Sequence, residues 1–258
     1  MLLHAVEAGA GITGTPVALL HGLFGSAMSM NRVQRVLAQS RRVLAFDMRN
    51  HGASPHEAGM DYHAMAGDVA ESLAARDASP AVVIGHSMGG KAAMMTALMH
   101  PDSVARLLVS DIAPVPYPSH GAYRDYAAAM QKIVLRAGMS RADADAALAE
   151  VCLDATLRAF LLTNLRFGTE PHWRIGLDEI AGGMDQILDW QVPPGARYDG
   201  PVLFVAGELS HYIQPEHRAP IRALFPAARF VTIKGAGHWV HADAPDAFAD
   251  VARGFAAG

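Results

Sequence analysis

A mostly parallel β-sheet with helices on both faces, an α/β architecture carrying an inserted helical segment, is the fold class this sequence predicts. Three observations predict it. Short apolar runs take turns with longer Ala- and Met-rich segments along most of the chain. The short runs lack apolar/polar alternation, as strands do when both faces of their sheet are covered. The rhythm then stops between about Pro114 and Gly195, where helical patterns continue and no convincing strand appears.

In chain order, strands are expected at Val17–Leu20, Val43–Phe46, Ala81–Ile84, Leu107–Ser110, Val202–Ala206 and Phe230–Ile233. Helices are expected at Met30–Ala38, Tyr62–Ala75, Met88–Met99, Pro215–Leu224 and Ala244–Phe255. The last two carry proline in their first turn, where a helix has no use for the missing N–H. Right-handed crossovers then join the strands. The interrupting segment offers helices around Tyr123–Ala137, Arg141–Val151 and Ala155–Leu165. Pro114, Pro116 and Pro118 mark its entry, and Pro193 and Pro194 its exit. The expected organisation is a core made from residues 1–113 and 196–258, with residues 114–195 as a helical cap.

Composition excludes several function classes. The chain has 258 residues, 51% hydrophobic and 18% charged, with a net charge of −4. That balance lacks the basic face of a nucleic-acid binder, so no nucleic-acid partner is expected. Every apolar stretch is cut short of the 18 or so residues that span a bilayer, so no membrane span is expected. The first residues, MLLHAVEAGAG, lack the basic start of a secretion signal, and the single cysteine, Cys152, has no internal partner. A small-molecule substrate in the cytoplasm is the expectation, with no oligomeric state implied.

The chemistry begins directly after the strand Ala81–Ile84. There the chain reads Gly85-His86-Ser87-Met88-Gly89 and runs on into a helix-compatible segment. This is G-x-S-x-G between a strand and a helix, the setting in which a tight turn projects a serine hydroxyl from the sheet. The flanking glycines are needed because side chains there would collide with neighbouring strands. The Met88 N–H opens a helix, where unpaired donors and the helix dipole favour a developing oxyanion. A second donor is expected from the loop His21-Gly22-Leu23-Phe24-Gly25 after the first predicted strand. Leu23 is the candidate, with Phe24 its neighbour.

A serine hydroxyl needs a base. Of thirteen histidines, His238 follows the last predicted strand in Lys234-Gly235-Ala236-Gly237-His238, where the glycines let a loop swing it over the sheet edge. His241 and Asp243 nearby make only a weak metal pattern with it, so no metal and no cofactor are expected. An orienting carboxylate would ordinarily lie near Ser210, after the strand before the histidine strand, but that position holds no acid. Three candidates stay open: Asp111, directly after the strand Leu107–Ser110; Glu208, two residues ahead of Ser210; and Asp185 in the inserted segment.

Four segments carry a resemblance over nearly the whole chain: HGLFGS at 21–26, DMRNHGAS at 47–54, GHSMGGKAAM at 85–94 and GAGHWVHADAPD at 235–246. Together they resemble the α/β-hydrolase superfamily and, within it, are similar to the YbfF group of small serine esterases. The resemblance implies an α/β-hydrolase fold whose cap follows strand 6 of the family's count. It implies Ser87 as nucleophile, His238 as base and Asp111 as acid, because in that group the acid follows the same strand. The backbone of Leu23 and Met88 would form the oxyanion hole. DMRNHGAS departs from the superfamily's D-x-R-G-H-G-x-S at Asn50, a residue that tolerates left-handed backbone.

The reaction expected is cleavage of carboxylic esters of short to medium acyl chains, with acyl thioesters inside its scope. The alternative on the same fold and triad is a carbon–carbon bond hydrolase or a perhydrolase. Residues 114–195 hold seven Lys or Arg against ten Asp or Glu, which offers no net field for a polyanionic leaving group and favours neutral esters. Phe24, Met28, Phe160 and Trp239 are the expected apolar lining for an acyl chain.

Overall fold

A computed structural model describes residues 1–118 and 121–258. Its strands, in chain order, are β1 (Ala5–Ala8), β2 (Val17–Leu20), β3 (Val43–Phe46), β4 (Ala81–His86) and β5 (Val104–Ser110), then β6 (Leu165–Arg166) and β7 (His172–Trp173), then β8 (Val202–Gly207) and β9 (Ala228–Ile233). Seven of them form one sheet in the order β1-β3-β2-β4-β5-β8-β9, antiparallel only where β1 meets β3. The fold class expected from the sequence is the one found, and the six expected strands form its parallel part.

Alternation along β4 explains the continuous apolar run. Ala81 and Val83 point into one buried layer with helices α2 (Tyr62–Ala74) and α3 (Met88–Met99). Val82 and Ile84 point into the other, under α1 (Asn31–Leu37) and the C-terminal helix. With both faces covered there is no position at which a polar residue would be solvated, so the strand reads apolar throughout.

Between β5 and β8 lie α4 (Ala122–Lys132), α5 (Arg141–Ala149), α6 (Ala155–Leu161), α7 (Leu177–Gly182) and α8 (Met184–Leu188). α5 and α6 start where Ser140 and Asp154 accept backbone N–H groups of the first turn. The expectation of no strand here is corrected: β6 and β7 make a small antiparallel ribbon. Two residues per strand are too few for a period-two pattern to register. Three helices complete the chain: α9 (Arg218–Leu224), α10 (Val240–Asp243) and α11 (Pro245–Ala257). Among the described residues no helix is long and apolar enough to cross a membrane.

Candidate active site

The C-terminal ends of β2, β4, β5, β8 and β9 meet at one edge of the sheet, and the site is assembled there. Ser87 sits between β4 and α3 with φ 51° and ψ −119°, a backbone conformation costly for any side chain. The turn fits only because its flanks are glycine. A Cβ on Gly85 would strike the Gly89 backbone, and one on Gly89 would strike the carbonyl oxygens of Leu20 and His21 at the end of β2.

His238 reaches the serine from the loop between β9 and α10. Its Nε2 lies 3.1 Å from Ser87 Oγ, and its Nδ1 lies 2.8 Å from Asp111 Oδ2. A carboxylate on Nδ1 keeps the proton there and leaves Nε2 to accept from the serine hydroxyl. The imidazole stacks on the Tyr212 ring, centroids 3.8 Å apart and planes 16° from parallel. His86, next to the serine, holds the His238 carbonyl through Nε2 at 2.9 Å.

Asp111 follows β5 with φ 53° and is fully buried. Its Oδ1 accepts the Gly207 N–H at 3.1 Å, and its Oδ2 accepts the Ser210 hydroxyl as well as His238. The other two acids are elsewhere. Glu208 is exposed and accepts from Gly235 N at 2.8 Å, while exposed Asp185 pairs with Arg124. Ser210, at the position where a carboxylate is expected, thus donates a hydrogen bond to the carboxylate that the neighbouring strand supplies. Its place in the chain was a visible signal, but its partner lies 99 residues away.

On the opposite side of Ser87, the Phe24 N–H is taken by His51 Nε2 at 3.1 Å. The N–H groups of Leu23 and Met88 have no hydrogen-bond partner among the described residues. The loop that carries Leu23 is held from beneath. Phe24 has φ 61°, and its carbonyl accepts from Asn164 Nδ2 at 2.8 Å. His21 and His51 are buried and neutral. Burial pushes His51 down to about 3, and it lowers His21 as well. Asp47 holds the backbone N–H groups of Ala27 and Ala53 at 2.7 and 2.9 Å, and Asn50 takes the left-handed backbone with φ 63°.

Two small cavities flank the serine. One, of about 30 Å³, is lined by Phe24, Ser87, Phe160, His238 and Trp239. The inner one, of about 40 Å³, is lined by Ser87, Met88, Lys91, Ile112, Tyr117 and Ile187, without His238. Met28 lies apart from both, 60% exposed on an outer groove of about 430 Å³ that shares Phe160 and Trp239 with the first cavity. Lys91 was not singled out by its sequence, although it is the one charge in the buried helix α3. Among the described residues no group of three His, Cys, Asp or Glu is placed to hold a metal ion. Asp243 instead accepts the Gly237 N–H at 2.8 Å, and His241 packs edge-on against His86.

The family described as the alpha/beta hydrolase fold matches residues 15–245. The chain is 42% identical over 250 residues to the sn-1-specific diacylglycerol lipase ABHD11 of Mus musculus, covering 93% of this chain and 80% of that protein. It is 36% identical over 233 residues to esterase YbfF of Escherichia coli, covering 90% of this chain and 89% of that one. A solved structure titled marine microorganism esterase is 35% identical and superposes with a TM-score of 0.93 over 98% of this chain and 99% of that chain.

Proposed function

Because the chain belongs to the α/β-hydrolase fold family, among relatives named esterases and lipases, we propose that it is a serine carboxylesterase working through an acyl-enzyme on Ser87. The observation that carries this reading is the unbroken run from Ser87 Oγ through the His238 ring to Asp111, at 3.1 and 2.8 Å. Ser87 attacks the ester carbonyl while His238 Nε2 takes its proton. Asp111 orients the imidazole and stabilises the imidazolium. The N–H groups of Leu23 and Met88 receive the oxyanion, a contribution of about 3 kcal/mol per donor in comparable sites. His238 then protonates the leaving alcohol, and water repeats the sequence on the acyl-enzyme.

Residues 114–195 act in this reading as a cap over a core of residues 1–113 and 196–258. Ties from the segment to the core support it: Tyr62 Oη donates to the Ile187 carbonyl at 2.6 Å, Met60 N to Gln186 Oε1 at 2.6 Å, and Asn164 Nδ2 to the Phe24 carbonyl. The arginines of the cap leave the leaving-group side without a cationic cluster. Arg124 and Arg158 pair with Asp185 and Asp145, and Arg174 lies on the outer groove. Short to medium acyl esters of neutral alcohols, with thioesters of the same acyl groups, are the proposed substrates. Phe24, Phe160 and Trp239 would face the ester beside Ser87, and Met28 the distal end of a longer group.

The test is pre-steady-state hydrolysis of p-nitrophenyl acetate and butyrate. A burst of nitrophenolate equal to the enzyme concentration, lost in Ser87→Ala with the fold intact, is expected. A folded Ser87→Ala variant that still turns over would overturn the mechanism.

A further inference from the structure

The His238 imidazole is held at its nitrogens by hydrogen bonds and on one face by a ring that a serine, histidine and acid do not by themselves require. Nδ1 lies 2.8 Å from Asp111 Oδ2, and Nε2 lies 3.1 Å from Ser87 Oγ. The torsion that turns an imidazole about its Cβ–Cγ bond is broad, and a hydrogen bond weakens only gradually until it is well bent. The two nitrogens alone therefore leave the ring room to rock. Tyr212 takes that room away, its ring centroid 3.8 Å from that of the imidazole and its plane 16° from parallel.

Tyr212 is itself held firmly, in the loop after β8. Its N–H donates to Ser210 Oγ at 3.2 Å, and the Ser210 hydroxyl donates to Asp111 Oδ2. Its carbonyl accepts from Tyr117 Oη at 2.6 Å, and its hydroxyl lies 3.0 Å from Tyr123 Oη on α4. Acid, serine, tyrosine and histidine close a circuit: Asp111 to Ser210, Ser210 to Tyr212, Tyr212 against His238, and His238 back to Asp111.

Burial pushes the Tyr212 phenol well above its ordinary range, so the ring stays neutral. A neutral aromatic ring presents a negative π face. When His238 takes the serine proton it becomes a cation lying against that face, and a cation gains more there than the neutral imidazole of the resting enzyme does. An interaction that is stronger in the transition state than in the ground state raises kcat.

We propose that Tyr212 is a positioning residue for His238: its ring fixes the plane of the imidazole and stabilises the imidazolium that forms in both acylation and deacylation. The ring carries this role, and the hydroxyl anchors it to Tyr123. The inference rests on the serine esterase reading and adds a residue to its machinery. Tyr212 exchanges no proton; the serine proton passes to His238 Nε2 and from there to the leaving alcohol. Tyr212 also lines the inner cavity with Ser87. The two roles are separable, because a cavity wall acts through the acyl chain, whereas the imidazolium is the same for every ester.

The experiment compares wild type, Tyr212→Leu and Tyr212→Phe on p-nitrophenyl acetate and butyrate, following both the burst and the steady state. Tyr212→Leu should lower the burst rate and kcat by about 3- to 30-fold each, the worth of a cation over an aromatic face. The factor should be the same for both esters, with KM little changed, and Tyr212→Phe should recover most of the loss. A folded Tyr212→Leu variant with both rates intact overturns the proposal. So does a loss confined to butyrate or carried by KM, the mark of a cavity wall. A Tyr212→Phe variant as slow as Tyr212→Leu overturns it too, since the hydroxyl then carries the effect. Proton NMR of the wild type keeps the proposal open to refutation even if Tyr212→Leu does not fold. The His238 ring signals, identified by their loss in His238→Gln, should lie upfield of ordinary histidine positions under the tyrosine ring current, and ordinary positions overturn the stack. Labelling of Ser87 by a fluorophosphonate separates the two readings. Wild-type enzyme that labels and cleaves, with Tyr212→Leu as fast, ends the Tyr212 proposal alone, whereas wild-type enzyme that neither labels nor cleaves either ester ends the esterase reading with it.

Discussion

Ser210 and His238 donate to the same oxygen of Asp111, Oδ2, from loops that follow adjacent strands, β8 and β9. The second donor fixes the rotamer of the buried carboxylate. Ser210→Ala should therefore lower kcat/KM about tenfold without unfolding the protein, the usual loss for one hydrogen bond to a charged group. Asp111→Asn should cost about 10⁴-fold in kcat, since the imidazole loses its orienting partner. Because Ser210 Oγ and His238 Nδ1 meet at one point, the double variant Asp111→Asn with Ser210→Asp should recover part of that loss. Esterase kinetics on the three variants check this, and a double variant no better than Asp111→Asn refutes the shared-oxygen account.

Asn164 supports the Leu23 loop from the inserted segment. Its Nδ2 bonds the carbonyls of Phe24 at 2.8 Å and Leu161 at 3.2 Å, both buried. Asn164→Leu strands the Phe24 carbonyl, at a cost of about 1–3 kcal/mol. A chain of this size should then melt several degrees lower, by roughly 2–4 °C per kcal/mol. Loosening Phe24 from its left-handed backbone should also lower kcat more than it raises KM, because in the proposed mechanism the Leu23 N–H acts on the transition state. Melting curves and steady-state kinetics on one preparation test both halves.

Acid should unfold the protein steeply. His21, His51 and His86 are buried in the neutral form, and His241 keeps a buried Nδ1 with no hydrogen-bond partner among the described residues. Burial lowers all four below the ordinary 6.5, His241 to about 4, His51 to about 3 and His86 well down. Below pH 6.5 the unfolded chain binds these protons and the folded one does not, so stability is complete above 6.5 and falls as pH drops toward 4. Each histidine contributes up to about 1.4 kcal/mol per pH unit in that window. Thermal melting across the window checks this. His241→Leu should flatten the slope by about one proton's worth.

Gly89 tests how tightly the serine turn is built. Gly89→Ala puts a methyl group against the Leu20 and His21 carbonyls. Neither carbonyl can withdraw, because both belong to the end of β2 and its loop. Loss of soluble protein, or of fluorophosphonate labelling in what remains, is the expected outcome.

Much of this was legible in the residues. The strand before Ser87 and the helix after it are strong local patterns, and His238 follows from a glycine loop after the last strand. The acid was not decided locally. Whether a carboxylate after β5 or one after β8 meets the histidine depends on strand adjacency, which no local pattern encodes. Lys91 is similar: a lone charge in an apolar helix is visible, but its carbonyl partner is 98 residues on. β1 carries no strand signature because four residues at a sheet edge, with Glu7 paired to Arg42, need no apolar run.

The pairing of β5 with β8 has a consequence during synthesis. About 90 residues separate the end of one strand from the start of the other. At about 5–20 residues per second the ribosome takes roughly 5–20 s to deliver the missing strand. For that interval the nascent chain presents β5 as a raw apolar edge, the kind of surface that chaperones hold and that sticks to its own copies. The same delay holds for the histidine. His238 follows Asp111 by 127 residues, so a chain grown only past Asp111 holds Ser87 without the imidazole that meets it in the folded protein.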